Sequence, residues 1–211
     1  MLIQSLDDQV SLAVDNPADA QAIASHLRAD SAWLEVVAGI DTVVVRFDAL
    51  AMDAVTAQGR IEKSFRDGIP PLPTQDTLLE IPIVYGGDYG PDLGALCEEL
   101  GFTKEEFIAL HTGTEYRVDT VGFTPGFVFV GGLDERLHVP RRTEPRQCVA
   151  AGSVGIADGR TGLYALASPG GWTLIGRTSY TLFNARSDNP FPIEAGMRIR
   201  FTAISADEFE S

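Results

Sequence analysis

Glycine and proline divide this sequence into two parts of different character. Only three of the 21 glycines (Gly39, Gly59 and Gly68) precede residue 69, and the run Ile69–Pro73 then brings three prolines. Proline cannot continue a helix and stiffens an extended segment, so a linker is predicted near residues 68–78. A chain of 211 residues can bury two cores. We expect one domain over residues 1–85, including the linker, and a second over residues 86–211.

The first part alternates between strand and helix patterns. Period-two alternation predicts the strands, and proline at a tolerated first-turn position begins one of the helices. The predicted order is strand Gln9–Val14, helix Pro17–Arg28, strands Trp33–Val37 and Thr42–Phe47, and helix Met52–Phe65. If Leu79–Tyr85 supplies the fourth strand, the order is βαββαβ. That is the ferredoxin-like, split βαβ arrangement of an α+β domain.

Two short helices and then only strands are predicted for the second part. From Pro91 onward, apolar residues recur at helical spacing and include Cys97, which we expect to be buried. The run Thr103–Glu106 has the pattern of a capping box before a helix that ends near His111. After Tyr116 the short β-rich runs predict a closed or nearly closed barrel.

Charge and composition exclude several classes of function. The formal charge of −14 opposes binding to nucleic acid, which requires a basic surface. The sequence has no run of ~18 apolar residues for a membrane span, and no basic segment precedes an apolar one at Met1. The two cysteines, Cys97 and Cys148, do not form a C-x-x-C pair and suit a reducing compartment. We therefore expect a cytoplasmic protein that binds neither nucleic acid nor membrane.

Familiar catalytic motifs are also missing. Neither Lys63 nor Lys104 follows a glycine-rich loop, so the sequence has no Walker A phosphate site. The histidines are scattered without Cys/His pairing, and no metal site is expected. A nucleophile elbow around Ser153 would need glycine at position 151, where this sequence has alanine. The sequence therefore lacks this motif.

Arginines are concentrated in one short segment of this acidic chain. Four basic residues fall within eleven positions: Arg136, Arg141, Arg142 and Arg146. Such a cluster favours a carboxylate or phosphate ligand, although arginines in loops are often simply solvated. Cys148 lies close in sequence to these arginines, but a buried structural thiol is the preferred interpretation of it.

Other candidates each have a functional and a structural interpretation. The turn Gly152–Gly155 can offer a nest of backbone N–H groups to an anion, or its glycines can serve barrel curvature. His111 and Glu115 are close enough in sequence to act as acid and base, whereas a histidine at a helix end is more often a core residue. Phe127 and Trp172 can stack on a ligand or fill the core.

The glycine-rich blocks together resemble a known family signature. The blocks are Gly122–Phe127, Pro140–Arg146, Gly152–Gly155, Ser168–Trp172 and Ile175–Thr178. They are similar to the family that includes the B subunit of bacterial ATP-dependent 5-oxoprolinase, the kinase inhibitor KipI and chains named allophanate hydrolase subunit 1. The resemblance is strong from about Ile81 to Ile204 and weak before that. It implies a cyclophilin-like barrel in the C-terminal domain.

The resemblance also implies an activity and partners. The expected activity is the opening of 5-oxo-L-proline, a small-molecule substrate, to L-glutamate with ATP hydrolysis. The chain would act together with the A subunit and the C subunit of 5-oxoprolinase, the latter allophanate hydrolase subunit 2-like, and ATP would bind at the level of the complex. The implied catalytic residues are His111 and Glu115. The implied substrate- or anion-binding residues are Phe123, Pro125, Gly126, Phe127, Arg141, Arg142, Arg146, Gly152, Ser153, Gly155, Gly170, Gly171, Trp172 and Arg177.

Other functions are compatible with the same signature. The first alternative is a KipI-type inhibitor that binds a histidine kinase directly. A weaker one is a component related to allophanate hydrolase or urea carboxylase. Prolyl isomerisation is weaker still, because similarity of a barrel does not transfer activity.

Overall fold

The computed structural model describes residues 3–66, 68–71 and 78–210. The chain forms two compact units, residues 1–74 and 75–211. The strands are β1 Ile3–Ser5, β2 Gln9–Ala13, β3 Trp33–Ala38, β4 Thr42–Phe47, β5 Leu78–Tyr85, β6 Tyr116–Val121, β7 Val128–Gly131, β8 Arg146–Val149, β9 Ser153–Ala157, β10 Arg160–Leu163, β11 Ser168–Gly170, β12 Thr173–Arg177 and β13 Arg198–Ala203. The helices are α1 Pro17–Arg28, α2 Ala54–Ser64, α3 Leu93–Leu100, α4 Lys104–Thr112 and α5 Ala206–Glu210.

In its described part, the first unit is an antiparallel sheet with two helices. The strand order is β1-β2-β4-β3. Alternate residues of β2 and β4, such as Leu12 and Val45, are completely buried against apolar residues of the helices, such as Leu27 and Ile61. Both helices have side-chain caps, because Asn16 accepts from the N–H of Asp19 and Asp53 from the N–H of Thr56.

The fourth strand of this sheet differs from the sequence prediction. Strand β4 lies between β2 and β3, as the split βαβ arrangement requires. The strand beside β2, however, is β1, and β5 lies in the second unit, where it pairs with β12 and β13. The predicted βαββαβ order is therefore wrong, and the observed order is ββαββα. Of the predicted linker, Asp67 and residues 72–77 lie outside the described residues.

The second unit contains a closed barrel with the strand order β10-β7-β6-β13-β5-β12-β9 among the described residues. Residues of β7 and its flank alternate between the two faces of the barrel wall. Val128 and Val130 belong to the interior core, while Phe127 and Phe129 on the opposite face belong to a separate group outside the barrel. The closed barrel predicted from the sequence is confirmed, and it is consistent with a cyclophilin-like barrel.

Helices α3 and α4 add to the interior core. Leu93, Leu96 and Phe107 are buried in it. The capping box is present as predicted, because Thr103 accepts from the N–H of Glu106 and Glu106 accepts from the N–H of Thr103. Cys97 is buried, as expected.

A two-stranded antiparallel ribbon, β8 and β11, lies outside the barrel wall. It covers a small second core, which we call the outer cluster. Its buried members are Phe127, Val149, Ala157, Tyr164, Trp172 and Leu174. Cys148 on this ribbon is exposed, so the prediction of a buried structural thiol is wrong. In the part of the chain that the structure describes, no helix is long and apolar enough to cross a membrane.

Candidate functional site

His111, one of the two predicted catalytic residues, is completely buried. Its Nδ1 lies 2.7 Å from the hydroxyl of Tyr85, and its Nε2 lies 3.0 Å from Oγ1 of Thr161. The ring stacks on Phe201. Burial lowers the pKa of His111 to about 3, so the ring is neutral at physiological pH.

Glu115, the other predicted catalytic residue, is exposed. Its carboxylate accepts hydrogen bonds from Arg198 and, at 2.7 Å, from Arg200. The hydrogen bond from Arg198 is the main cause of a lowered pKa of Glu115. The structure thus gives the two residues different surroundings, a sealed neutral ring and an open carboxylate held by guanidinium groups. Their role as an acid–base pair stays a prediction.

Arg142 and Arg146 converge on a single carboxylate, that of Asp92. Nη2 of Arg146 donates to Oδ1 of Asp92 at 2.6 Å, and Nη1 of Arg142 lies 3.5 Å from the same oxygen. The other oxygen, Oδ2, accepts from the backbone N–H of Leu174 at 2.7 Å. Asp92 is at the N-cap position of α3 but makes no side-chain cap. Its carboxylate instead links α3 to the ribbon and to β12.

Arg141 has a different carboxylate partner. Its Nε donates to Oδ2 of Asp158 at 2.8 Å, and both side chains are about half exposed. Its guanidinium carbon lies 5.5 Å from the ring centroid of Trp172, within the range of a cation–π contact. The predicted cluster therefore contains guanidinium groups that are already paired within the fold. Sequence reasoning missed both partners.

A cavity of about 250 Å³ adjoins these pairs. Its polar lining includes acidic groups from Asp92 and Glu99, basic groups from Arg141 and Arg142, and the hydroxyl of Thr173. It is large enough for a small organic acid, and its guanidinium groups suit a carboxylate.

The turn Gly152–Gly155 uses its first amides within the fold. The N–H of Gly152 donates to the carbonyl of Tyr164, and that of Ser153 donates to Ala150. A Cβ at Gly155 would lie only 2.8 Å from Cβ of Trp172. These observations favour the structural interpretation of the glycine pair over a nest that binds anions.

The Gly122–Phe127 turn divides into exposed and buried residues. Phe123 is 71% exposed and has a φ of 71°, a backbone conformation that is rare for a residue other than glycine. Pro125 is also exposed. Gly126 is buried with a φ of 76°, and an added Cβ would lie 2.7 Å from Cβ of Phe183. Phe127 is buried in the outer cluster.

The remaining predicted residues lie on or beside the ribbon, except Arg177. Gly170 is opposite Arg146, and the carbonyl of Gly171 accepts from the N–H of Arg142. Trp172 is buried in the outer cluster, where it contacts Phe127. Arg177 lies on β12, opposite Ser153. The structure therefore gathers the arginines, Gly170, Gly171 and Trp172 at one place, and it places His111 in the barrel interior instead. No group of three or more His, Cys, Asp or Glu in the described ranges could hold a metal ion.

Comparison with known proteins identifies the family. The carboxyltransferase domain, subdomain C and D family matches residues 2–193. The B subunit of 5-oxoprolinase from Escherichia coli O157:H7 is 42% identical over 171 residues, which cover 80% of this chain and 77% of that protein. The B subunit of 5-oxoprolinase from Haemophilus influenzae is 38% identical over 85% of this chain and 84% of that protein.

Solved structures share the fold. A conserved uncharacterized protein of Pyrococcus horikoshii aligns with a TM-score of 0.61 and 29% identity over 99% of this chain and 100% of that one. The Kluyveromyces lactis urea carboxylase has a TM-score of 0.77 over 98% of this chain, but only 22% of that chain is covered and the identity is 16%, so it shows the fold alone. A third solved chain is also longer than this protein, and the match covers only 40% of that chain. The match over residues 2–193 and the identities of 38% and 42% place this chain in the carboxyltransferase domain, subdomain C and D family, together with the B subunits of 5-oxoprolinases.

Proposed function

We propose that this chain is the B subunit of an ATP-dependent 5-oxoprolinase in the cytoplasm. The observation that carries the proposal lies beside a cavity of about 250 Å³. There the side chains of Arg142 and Arg146 and the N–H of Leu174 hold the protein's own Asp92 carboxylate. The substrate, 5-oxo-L-proline, is itself a small carboxylic acid. Similarity to the B subunits of 5-oxoprolinases supports the choice of substrate.

The reaction explains why several subunits take part. The lactam is an amide and therefore a poor electrophile, so phosphorylating its oxygen would activate the ring carbon for attack by water. The C–N bond would then break to give the free amine and an acyl phosphate, and a second water would release the phosphate. The net reaction consumes 5-oxo-L-proline, ATP and two molecules of water and yields L-glutamate, ADP and phosphate. Arginines at the cavity would bind the substrate carboxylate or a phosphoryl oxygen. ATP, the A subunit and the allophanate hydrolase subunit 2-like C subunit belong to the proposal at the level of the complex.

Reconstitution tests this function. The purified chain, each partner subunit and all their combinations are assayed for phosphate release that depends on 5-oxo-L-proline, and L-glutamate is measured as the product. We expect activity only when all three subunits are present. Substantial turnover by the isolated chain, or none by the complete mixture, would contradict the proposal.

The KipI-type alternative has one observation in its favour, the exposed and conformationally strained Phe123. An exposed aromatic side chain suits direct contact with another protein. Inhibition of histidine kinase autophosphorylation by the isolated chain, lost on Phe123→Ala, would support this alternative.

A further inference from the structure

One face of helix α3 forms a wall of the cavity of about 250 Å³. The residues that α3 and its N-cap contribute to the lining are Asp92, Ala95, Leu96 and Glu99. Residues three, four and seven positions apart lie on the same side of a helix, so the side chain of Glu99 is turned toward the cavity. The cavity therefore has a second carboxylate in addition to that of Asp92.

The arginines around the cavity outnumber the carboxylates that hold them. Arg146 donates to Asp92 at 2.6 Å, and Arg141 donates to Asp158 at 2.8 Å. Nη1 of Arg142 lies 3.5 Å from the same oxygen of Asp92, which is longer than an ordinary N–H···O hydrogen bond. Arg142 is thus left without a carboxylate of its own, and its guanidinium can turn to a ligand.

Glu99 is a matching group of opposite sign. In the part of the chain that the structure describes, no hydrogen bond or ion pair engages its side chain. The side chain of Arg142 is 40% exposed and Glu99 is exposed, so both groups are accessible from solvent. The cavity thus presents one positive and one negative group to a ligand. Such a pair is complementary to a small molecule that carries both a carboxylate and an N–H donor.

The spacing of the two groups limits the size of that molecule. Arg142 contacts Asp92 at the start of α3, and Glu99 follows seven positions later, about 10 Å along the helix axis. Hydrogen bonds of about 3 Å at each end leave about 4 Å for the ligand, which a carboxylate oxygen and the nitrogen on the adjacent carbon can span. Between the two ends, Ala95 and Leu96 line the cavity and suit methylene groups.

We propose that Glu99 recognises the α-nitrogen of the ligand while Arg142 binds its carboxylate. This role rests on the proposed function, because the ring N–H of 5-oxo-L-proline is attached to the carbon that bears the carboxylate. Glu99 accepts a hydrogen bond from this N–H and, after the ring has opened, from the ammonium group of L-glutamate. An acid without such a nitrogen would bring its negative charge near Glu99 with no compensating hydrogen bond. Glu99 is therefore a specificity-determining residue.

A pair of ligands tests this selection directly. 5-Oxo-L-proline is compared with the lactone of the same configuration, in which an oxygen atom replaces the ring N–H. Dissociation constants of both are measured with the full chain by titration, followed through amide chemical shifts. We expect the lactam to bind more tightly than the lactone by roughly tenfold or more, as a hydrogen bond to a charged acceptor predicts.

Variants of Glu99 separate recognition of the nitrogen from a simple effect of charge. Glu99→Ala should weaken binding of the lactam by roughly tenfold and should not weaken binding of the lactone, because a carboxylate that repels it has been removed. Glu99→Gln should keep part of the preference for the lactam, since its amide oxygen still accepts a hydrogen bond.

Glu98→Ala is the matched control. Glu98 is also exposed on α3, so the same charge is removed, but its side chain is turned about 100° away around the helix. We expect this variant to leave the ratio of the two dissociation constants unchanged. The two alanine variants should also have the same melting temperature.

Three results would overturn the proposal. The first is equal affinity of the unmodified chain for lactam and lactone. The second is a Glu99→Ala variant that binds the lactam as tightly as the unmodified chain does, or that loses affinity for both ligands alike. The third is the absence of saturable binding of either ligand to the full chain.

These outcomes are distinguishable from failure of the proposed function. A preference for the lactam that depends on Glu99, without turnover in the reconstituted complex, would refute the 5-oxoprolinase assignment and leave recognition of the α-nitrogen standing. Turnover in the complex with the same KM for 5-oxo-L-proline in Glu99→Ala as in the unmodified protein would refute the role of Glu99 and leave the assignment standing.

Discussion

The hydroxyl of Tyr85 lies 2.7 Å from Nδ1 of His111, deep inside the barrel. Thr161 lies at the other ring nitrogen, and the stacked ring of Phe201 covers one face. Of the two ring nitrogens of a neutral imidazole, one donates and the other accepts, and the two hydroxyls can satisfy both roles. His111 thus joins α4 to strands β5 and β10 as an uncharged linking group.

The buried ring should make the stability of the protein depend on pH. The pKa of His111 is lowered to about 3 in the fold, against the ordinary value of 6.5 in the unfolded chain. Between these two values the unfolded chain binds a proton that the folded chain does not, so stability rises with pH, by at most about 1.4 kcal/mol per pH unit. Urea unfolding at pH 4, 5 and 6 should show this slope. His111→Gln should flatten this slope. Tyr85→Phe keeps the His111 imidazole and should leave the slope in place.

Asp92 should contribute more to stability than Asp158, although each pairs with an arginine. The side chains of Asp92 and Arg146 are 14% and 26% exposed, whereas those of Asp158 and Arg141 are about half exposed. We expect Asp92→Asn to cost about 1.5–3 kcal/mol, because a charge-assisted network is broken where water is scarce. Asp158→Asn should cost less than about 1 kcal/mol, since exposed pairs are weak. Similar urea midpoints for the two variants would show that Asp92 is not a structural link.

Replacing the arginines should weaken substrate binding in the assembled complex. Arg142→Ala and Arg146→Ala should raise the KM for 5-oxo-L-proline by roughly ten- to hundredfold, as expected when a charge-assisted hydrogen bond is lost. Lysine at either position should restore only part of the loss, because an ammonium lacks the planar fork. Arg136→Ala is the control, since Arg136 pairs with its neighbour Asp134. Unchanged KM values in both variants, at unchanged melting temperature, would place the anion site elsewhere.

Fragments of the second unit should fold only if they contain strand β5. A fragment of residues 75–211 contains every barrel strand, and we expect dispersed amide resonances and a cooperative thermal transition from it. A fragment of residues 86–211 lacks β5, which leaves β12 and β13 without their shared partner. We expect that fragment to aggregate or remain unfolded. Equal folding of the two would mean that the barrel does not require its parallel pair.

Local sequence signals predicted local structure well. The capping box at Thr103 and the burial of Cys97 depend on residues within one helix, and both are observed. The alternation that predicts β5 is equally local, but it does not say which sheet the strand joins. Its neighbours β12 and β13 lie far along the chain, and the first sheet is completed by β1, a strand of only three residues.

The candidate site also depends on contacts between distant residues, which local sequence patterns do not reveal. The sequence gathers Arg141, Arg142 and Arg146 in one segment, but it does not reveal that Asp92, about 50 residues away, accepts from two of them. One signal was available, since Asp92 directly follows the Gly90–Pro91 turn and precedes an apolar helix, where a polar side chain must find a partner. The contact of Tyr164 with Gly170 depends on the folding of β11 over the barrel and had no counterpart in the sequence pattern.

The parallel pairing of β5 with β13 also has a consequence for biosynthesis. Leu78 is in register with Arg198, about 120 positions later in the chain. At a translation rate of roughly 5–20 residues per second, β5 leaves the ribosome about 6–24 s before its partner has been synthesised. Through that interval its backbone edge is available to any other extended segment. The nascent chain with an open barrel is therefore a form in which an unpaired strand edge is exposed to aggregation.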